Sequence, residues 1–513
     1  MKIASFFAPL LILALSWGAP ADARPSRFLT RSANGGGSAL PQRPEAVIAL
    51  PSLPLPAGAR LMAFGDSFSQ FNTWGMASAG PHFGNRPSGL LETAWAADPR
   101  FNFDWWYDAN QPVANQFRIN GANQGIGGDH LDWKSPNFAD GMLNRSRYAL
   151  SRQPQIVWLN AGTNSISSGD NNGEPGASTA TGGASAAYVT GKLDRLIDQF
   201  TSRGVWVILS TLYPRGDWAN GNPRHQVLRD VNVWIRAQSG RMGVAGVMDP
   251  YAALVSPDDP DDVRPEYFQE GTSGVHPNVV GAWVIWRDHL RPILTGAISA
   301  GSQFNQDART ANLLPEVTAL MTGGANGGKG AGVSGAVPTG FSLAATRGSS
   351  TAIAAIEDAG DFKRLSMTIT PINDNMSTPY HQFTLVTTPA QVPLTSTLTE
   401  GDWVQIYARV TTPDAASASV IRSAMTIRNN GTTVVAPGFA HNESSSEFTK
   451  AAPGRGAYWI TSKPMRIPAA GGNQMVFTLE IYFAKAMAGA FTVKVDSLIV
   501  RRVADPRPAW NLP

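Results

Sequence analysis

Two residues of the sequence carry the chemistry of a serine nucleophile and its base. Ser67 lies in Gly65-Asp66-Ser67, just past an apolar stretch, where a strand-to-helix turn would expose its hydroxyl beside helix amide groups. His276 precedes a helical stretch, and a neutral imidazole near pH 7 is the usual base for a serine hydroxyl. Taken singly, Ser67 also fits a helix cap and His276 also fits a surface histidine.

Two further loops could supply hydrogen-bond donors to an oxyanion. Gly128 lies in a glycine-rich loop, where a backbone N–H can approach a ligand because no Cβ intervenes. Asn164 follows a buried strand, so its side-chain amide could donate to the same oxygen. Each residue alone is equally compatible with an ordinary turn.

In this order along the chain, the four loops resemble those of the SGNH hydrolase family, also called GDSL esterases, over about residues 59–295. The resemblance implies that Ser67 is the nucleophile and His276 the general base. It implies an oxyanion hole made by Ser67 N–H, Gly128 N–H and the Asn164 side chain. It also implies a three-layer α/β/α, flavodoxin-like sandwich around a parallel sheet, with neither metal nor cofactor needed.

One position departs from the family pattern in a way that matters for catalysis. The triad acid of the family normally lies three residues before the histidine, and Ser273 occupies that position here. A carboxylate such as Glu270 could replace it, or the Ser273 hydroxyl or a backbone carbonyl could orient His276 in a working dyad. The third possibility is a feeble or inactive site, because the acid orients the imidazole and stabilises its cation.

The elements that would position these loops follow an alternating pattern. Apolar strands are predicted at 59–64, 155–160 and 205–210. Residues with helical spacing follow at 184–203, 223–241 and 279–290. Strands alternating with helices indicate a parallel sheet covered on both faces, in which sites form at the carboxyl ends of strands. We therefore predict an α/β catalytic domain over 59–300.

The pattern changes in the C-terminal part of the chain. Residues 301–340 are rich in glycine and predict a joint, 341–505 alternate as short strands, and 506–513 form a tail. We predict an all-β jelly-roll sandwich that loosely resembles carbohydrate-binding modules. Its candidate sugar-stacking residues, some of which could equally be core, are Trp403, Tyr407, Trp459 and Tyr482.

The N-terminus has the pattern of an export signal. Lys2, a short apolar run and Ala21-Asp22-Ala23 predict a signal peptide over 1–23, with a membrane anchor helix as the alternative. Residues 24–58 read as a Pro-, Gly- and Ala-rich leader segment. We expect an exported protein, periplasmic or extracellular, with no membrane span after signal removal.

Composition excludes several classes of function. The formal net charge is +3 and no Lys/Arg stripe is present, so we expect no nucleic-acid partner. The absence of cysteine excludes disulfides, thiolate metal sites and a thiol nucleophile.

The expected substrate follows from aromatic loop residues. Trp105, Trp106, Trp133 and Trp218 lie in predicted loops, where flat rings suit sugars or acyl chains, and loop packing is an equal alternative. Our leading hypothesis is an exported serine esterase that removes acyl groups, acetyl foremost, from a polysaccharide or oligosaccharide. The alternatives are a carbohydrate O-acyltransferase that uses the same Ser–His pair, and a non-catalytic glycan-binding protein with a decayed site.

Overall fold

The structure is a computed structural model, and its described part begins at Val47. The described residues are 47–70, 90–91, 94, 98, 100–102, 107–108, 122–132, 141–170, 173–179, 182–268, 273–277, 279–301, 305–376, 380–387, 392–412, 420–435, 438–440, 456–462, 464–484 and 489–510. The predicted signal peptide and most of the predicted leader segment lie outside these residues. Among the described residues, we find no helix with the length and apolar character needed to cross a membrane.

A parallel sheet forms the centre of the N-terminal part. The first strands in chain order are β1 (Ala59–Gly65), β2 (Phe101–Asn102), β3 (Tyr107–Asp108), β4 (Asn123–Gly125), β5 (Ile156–Asn160), β6 (Trp206–Ser210) and β7 (Val244–Met248). All except β3 belong to this sheet, where β2 and β4 share one edge of β1 and are followed by β5, β6 and β7 on the other side. If β2 and β4 count as one position, this is the flavodoxin-like order, whose ligand site lies where the strand order reverses, here between β1 and β5.

Helices cover the sheet, as the alternating pattern predicts. They are α1 (Ser67–Gln70), α2 (Met142–Ser151), α3 (Thr163–Ser168), α4 (Ala186–Thr201), α5 (Pro223–Arg236), α6 (Pro250–Leu254), α7 (Val279–Ile285) and α8 (Arg291–Ala297), with a π turn at Trp286–Leu290 and a 3₁₀ turn at Pro265–Tyr267. Strand β5 is buried along its whole length, which is typical of a parallel strand covered on both faces. The prediction of an α/β/α sandwich is therefore confirmed.

The C-terminal part is a β-sandwich. After α9 (Glu316–Ala319), its strands are β8 (Asn326–Lys329), β9 (Val333–Gly335), β10 (Val337–Arg347), β11 (Thr351–Asp358), β12 (Lys363–Thr370), β13 (Tyr380–Thr387), β14 (Val392–Leu398), β15 (Trp403–Thr412), β16 (Val420–Asn429), β17 (Thr432–Val435), β18 (Gly438–Ala440), β19 (Gly456–Thr461), β20 (Met465–Arg466), β21 (Gly472–Ala484) and β22 (Phe491–Arg502). In the described residues they form, together with β3, two eight-stranded sheets, one centred on β21 and one on β22. The sandwich prediction is confirmed, and its jelly-roll connectivity stays a prediction.

The core of the sandwich lies between the two sheets. Phe341, Phe383 and Phe477 come from one sheet and pack in the same cluster as Met367 and Val493 of the other. Part of this fold lies within the predicted joint, where the structure places α9, β8, β9 and the start of β10. The glycine-rich segment therefore contributes edge strands to the sandwich.

The four aromatic residues considered as sugar-stacking platforms are core residues. Trp403, Tyr407, Trp459 and Tyr482 expose between 2% and 7% of their surface. The Tyr407 hydroxyl donates to Gln405 Oε1 at 2.7 Å, so its polar end is also satisfied inside the protein. Their rings are not available as stacking surfaces for a glycan.

The sandwich and the α/β part share structure at two places. Strand β3, which comes from the α/β part, pairs in parallel with β20 of the sandwich. Trp403 and Trp510 pack in the same hydrophobic cluster as the residues of the parallel sheet. Trp510, which lies in the predicted tail, has no exposed surface. Trp510 of the predicted tail is therefore part of the core.

We expect Trp510→Ala to lower the free energy of unfolding by about 3–5 kcal/mol, because the truncation leaves a cavity in a packed core. Met242→Ala is the control, since Met242 is 85% exposed and its truncation should change stability by less than about 0.5 kcal/mol. Urea unfolding followed by tryptophan fluorescence and circular dichroism measures both. Equal stabilities of the two variants would show that the chain end does not support the core.

Candidate active site

Ser67 stands at the carboxyl end of β1, where the chain turns sharply into α1. Gly65 allows this turn, because a Cβ at this position would lie 1.9 Å from the backbone oxygen of Asn160. The buried Asp66 carboxylate accepts the Phe68 N–H at 3.1 Å and so fixes the first turn of the helix. The side chain of Ser67 is left half-buried at the edge of the sheet.

His276 meets Ser67 across 209 residues of sequence. Its Nε2 lies 3.0 Å from Ser67 Oγ, which is hydrogen-bond distance for proton transfer. The loop before it is anchored by the Gly274 carbonyl, which accepts the Gly216 N–H at 2.8 Å. The Phe68 ring lies 5.2 Å from the imidazole and supports it from the side. The two residues with the predicted roles of nucleophile and base thus form a pair.

The glycine-rich loop and Asn164 lie beside this pair. A Cβ on Gly127 would be 3.8 Å from Ser67 Cβ, and Gly128 has a φ of +77°, which favours glycine. Asn164 Nδ2 donates to the Asp129 carbonyl at 3.0 Å and lies 3.4 Å from Asp66 Oδ2. The predicted oxyanion donors are therefore brought to the same edge of the sheet as Ser67.

A buried arginine that we did not predict lies beneath these loops. Arg145 is 2% exposed, and its Nη2 lies 2.8 Å from Asp129 Oδ2 and donates to the Gly65 carbonyl at 2.8 Å. It sits on the face of α2 that also buries Met142 and Ala149. A charged residue at an apolar-face position is the sequence signal that could have revealed it.

Burial perturbs the two acids of this cluster. Burial raises the pKa of Asp66 to about 7; Asp129 adds to the shift, while the Phe68 N–H, Arg215 and Arg145 oppose it. Burial likewise raises the pKa of Asp129 to about 6, against the attraction of Arg145. Near neutral pH, Asp66 is therefore divided between its protonated and ionised forms.

A second Ser–His contact lies one helical turn beyond Asn164. His130 Nε2 is 2.8 Å from Ser168 Oγ, and Ser168 is exposed while His130 is buried. Burial lowers the pKa of His130, and the nearby Asp170 carboxylate opposes the shift. This pair was not among the predicted sites, and it provides an internal comparison for Ser67 and His276.

The remaining predicted site residues have different positions. Ser273 is exposed, and Glu270, Trp105, Trp106 and Trp133 lie outside the described residues. Trp218 is 7% exposed, and its ring contacts Arg215 at 5.0 Å and His225 at 5.3 Å. Trp218 is as deeply buried as Tyr482, so its ring is not available as a stacking surface either. The roles assigned to the other five residues stay predictions. Within the described residues, no group of three or more His, Asp or Glu side chains could hold a metal ion.

Comparisons with known proteins identify the α/β part. Residues 63–284 match the GDSL-like lipase/acylhydrolase family, which confirms the resemblance over that segment. No curated protein matches the chain.

Three solved structures are similar to part of this chain. A GDSL-like lipase from Bacteroides thetaiotaomicron is 17% identical, with 46% of this chain and 87% of that chain covered and a TM-score of 0.30. A mutant of an acetyl-xylooligosaccharide esterase from Geobacillus is 14% identical, with 48% of this chain and 100% of that chain covered and a TM-score of 0.29. A carbohydrate acetylesterase from Sinorhizobium meliloti is 14% identical, with 44% of this chain and 94% of that chain covered and a TM-score of 0.27. At these values the likenesses carry no argument about activity.

We expect Asp66→Asn to flatten the pH dependence of stability. The native pKa of about 7 lies above the usual value near 4, so the native state binds the extra proton between these pH values. The free energy of unfolding must then fall as pH rises through this window, by up to about 1.4 kcal/mol per pH unit from this group. The asparagine variant should lack this contribution.

Guanidinium unfolding at intervals between pH 4.5 and 9 measures both proteins. Above about pH 8 the two slopes should coincide, which serves as the internal control. The same slope for both proteins between pH 5 and 7 would contradict the assignment of the proton to Asp66.

Proposed function

We propose, from the premise that residues 63–284 match the GDSL-like lipase/acylhydrolase family, that this protein is a serine esterase that hydrolyses acyl esters. The observation that carries the proposal is the 3.0 Å contact between Ser67 Oγ and His276 Nε2. A serine hydroxyl is a weak nucleophile until a base accepts its proton, and this contact supplies the base.

The reaction begins with attack of Ser67 Oγ on the ester carbonyl carbon while its proton passes to His276 Nε2. The negative charge on the carbonyl oxygen is held by the Ser67 N–H, the Gly128 N–H and the Asn164 amide. The imidazolium returns the proton to the leaving alcohol, and an acyl-enzyme on Ser67 remains. Water, deprotonated by His276, attacks this ester, the imidazolium returns the proton to Ser67 Oγ as the acyl bond breaks, and the carboxylic acid is released.

The local environment supports this use of donors fixed before the substrate arrives. Asn164 is held by the Asp129 carbonyl, and Gly127 is held by its N–H bond to Gln70 Oε1 at 2.6 Å. Donors that are already oriented need no reorganisation when charge develops on the substrate oxygen. The rigid loops therefore suit stabilisation of an oxyanion.

We further propose that the ester is an acyl group, acetyl foremost, on a carbohydrate polymer outside the cytoplasm. Support for the carbohydrate comes from the net charge of +3, which suits a neutral ligand, and from the predicted loop residues Trp105, Trp106 and Trp133, whose rings suit sugars. Support for export comes from the signal-like pattern of residues 1–23.

Ser67→Ala and His276→Ala should each lower kcat for p-nitrophenyl acetate by at least about 10³-fold, because nucleophile and base act as one unit. For the same reason the double variant should be no slower than the worse single variant. Ser168→Ala is the matched control, since it removes the hydroxyl of the neighbouring contact between Ser168 and His130, and it should keep kcat within about threefold. Initial rates and covalent labelling by a fluorophosphonate measure the outcome. Hydrolysis or labelling that survives in Ser67→Ala would refute the proposal.

Acetylated xylan should release acetate with the wild-type protein, while the Ser67→Ala variant should release none above background. Release is measured enzymatically on the soluble product, with tributyrin as the comparison for a lipid-like ester. Activity on tributyrin and p-nitrophenyl acetate without acetate from the polymer would overturn the carbohydrate half of the proposal and keep the esterase half.

A further inference from the structure

A single buried guanidinium joins two loops of the candidate site from below. Arg145 Nη2 donates to the carbonyl of Gly65, two residues before Ser67. Arg145 Nη1 donates to the carbonyl of Gln124 in the middle of β4. Arg145 Nε donates to Asp129 Oδ2 at 2.9 Å, next to the oxyanion residue Gly128. The forked guanidinium group therefore links β1, the strand that leads to Ser67, to the loop that carries the oxyanion donor Gly128.

The same contacts reach Asn164, the third oxyanion donor. Asp129 is held through its carboxylate by Arg145, and its carbonyl accepts from Asn164 Nδ2 at 3.0 Å. A shift of Asp129 would therefore move both the backbone beside Gly128 and the acceptor that orients the Asn164 amide. One side chain is thus linked by hydrogen bonds to the backbone beside two donors and, through Asp129, to the third.

The shape of the guanidinium matters as much as its charge. An arginine can donate to a carboxylate and two carbonyls at fixed angles, whereas a lysine is a point charge that cannot reproduce the fork. The Phe64 ring, 4.6 Å from Arg145 Cζ, further fixes the plane of the group. A buried ion pair by itself is weak evidence for stability, so its geometry calls for another account.

We propose that Arg145 is a positioning residue for acyl transfer, which sets the distance between Ser67 and the oxyanion donors through its bonds to Gly65, Gln124 and Asp129. The inference rests on the esterase function proposed above. Arg145 itself does not touch the substrate, and its effect should appear in the transition state, where the oxyanion forms, rather than in substrate binding.

Arg145→Lys and Arg145→Met test the proposal in the full chain. Lysine keeps the charge beside Asp129 and loses the fork, so we expect kcat for p-nitrophenyl acetate to fall about tenfold, and about 10²-fold in the methionine variant, with KM within threefold. Labelling of Ser67 by a fluorophosphonate should slow by similar factors and still reach completion. Arg241→Met is the matched control, since Arg241 bridges Asp194 and Asp198 away from the site, and it should leave kcat unchanged.

A purely structural ion pair predicts a different result. In that case Arg145→Lys would restore wild-type kcat, or the loss of activity would follow the melting temperature alone, and either result overturns the proposal. If neither arginine variant folds, Asp129→Asn tests the proposal, because asparagine keeps the shape of the side chain and weakens its contact with Arg145. An unchanged kcat in this variant would refute the positioning role. An inactive, unlabelled wild-type protein would instead refute the esterase function itself.

Discussion

The pairing of β1 with β5 is the constraint on which the site depends. In this parallel ladder Gly65 lies opposite Asn160, so both strands end at the same level of the sheet. The chain leaves β1 toward Ser67 and leaves β5 toward Asn164, and both residues therefore emerge on one edge although they are far apart in sequence. The glycine-rich loop reaches the same edge because β4 pairs with the other side of β1.

This edge collects charges that water would normally solvate. Burial raises the pKa of Asp66 and Asp129 and lowers that of Arg145, so each group is held against its preference for solvent. The arrangement persists because the polar atoms of these three side chains meet oriented partners, and the guanidinium meets two backbone carbonyls besides the carboxylate. The free-energy cost of burying these charges thus accompanies a fixed hydrogen-bond geometry at the place where an oxyanion would form.

Sequence patterns predict the parts of this architecture that depend on local order. Continuous apolar strands and short polar loops identify the sheet, Ser67, His276 and Asn164, because each signal lies within a few residues. Arg145 was missed because an arginine on a helix usually faces solvent. Only tertiary contacts show that its partners include backbone carbonyls of β1 and β4. The burial of Tyr407 was open for the same reason, since an aromatic residue in a strand fits either face of a sheet.

The burial of Trp510 changes how the sandwich should be understood. A binding module attached by a linker keeps its own core and needs no contact with its neighbour. Here Trp403 and Trp510 pack with the parallel sheet, and β20 pairs with β3 of the α/β part. The aromatic residues that could have served a glycan are used in packing instead. Strand β3, which the sandwich holds, lies between β2 and β4 along the chain, and β4 leads into the glycine-rich loop beside Ser67.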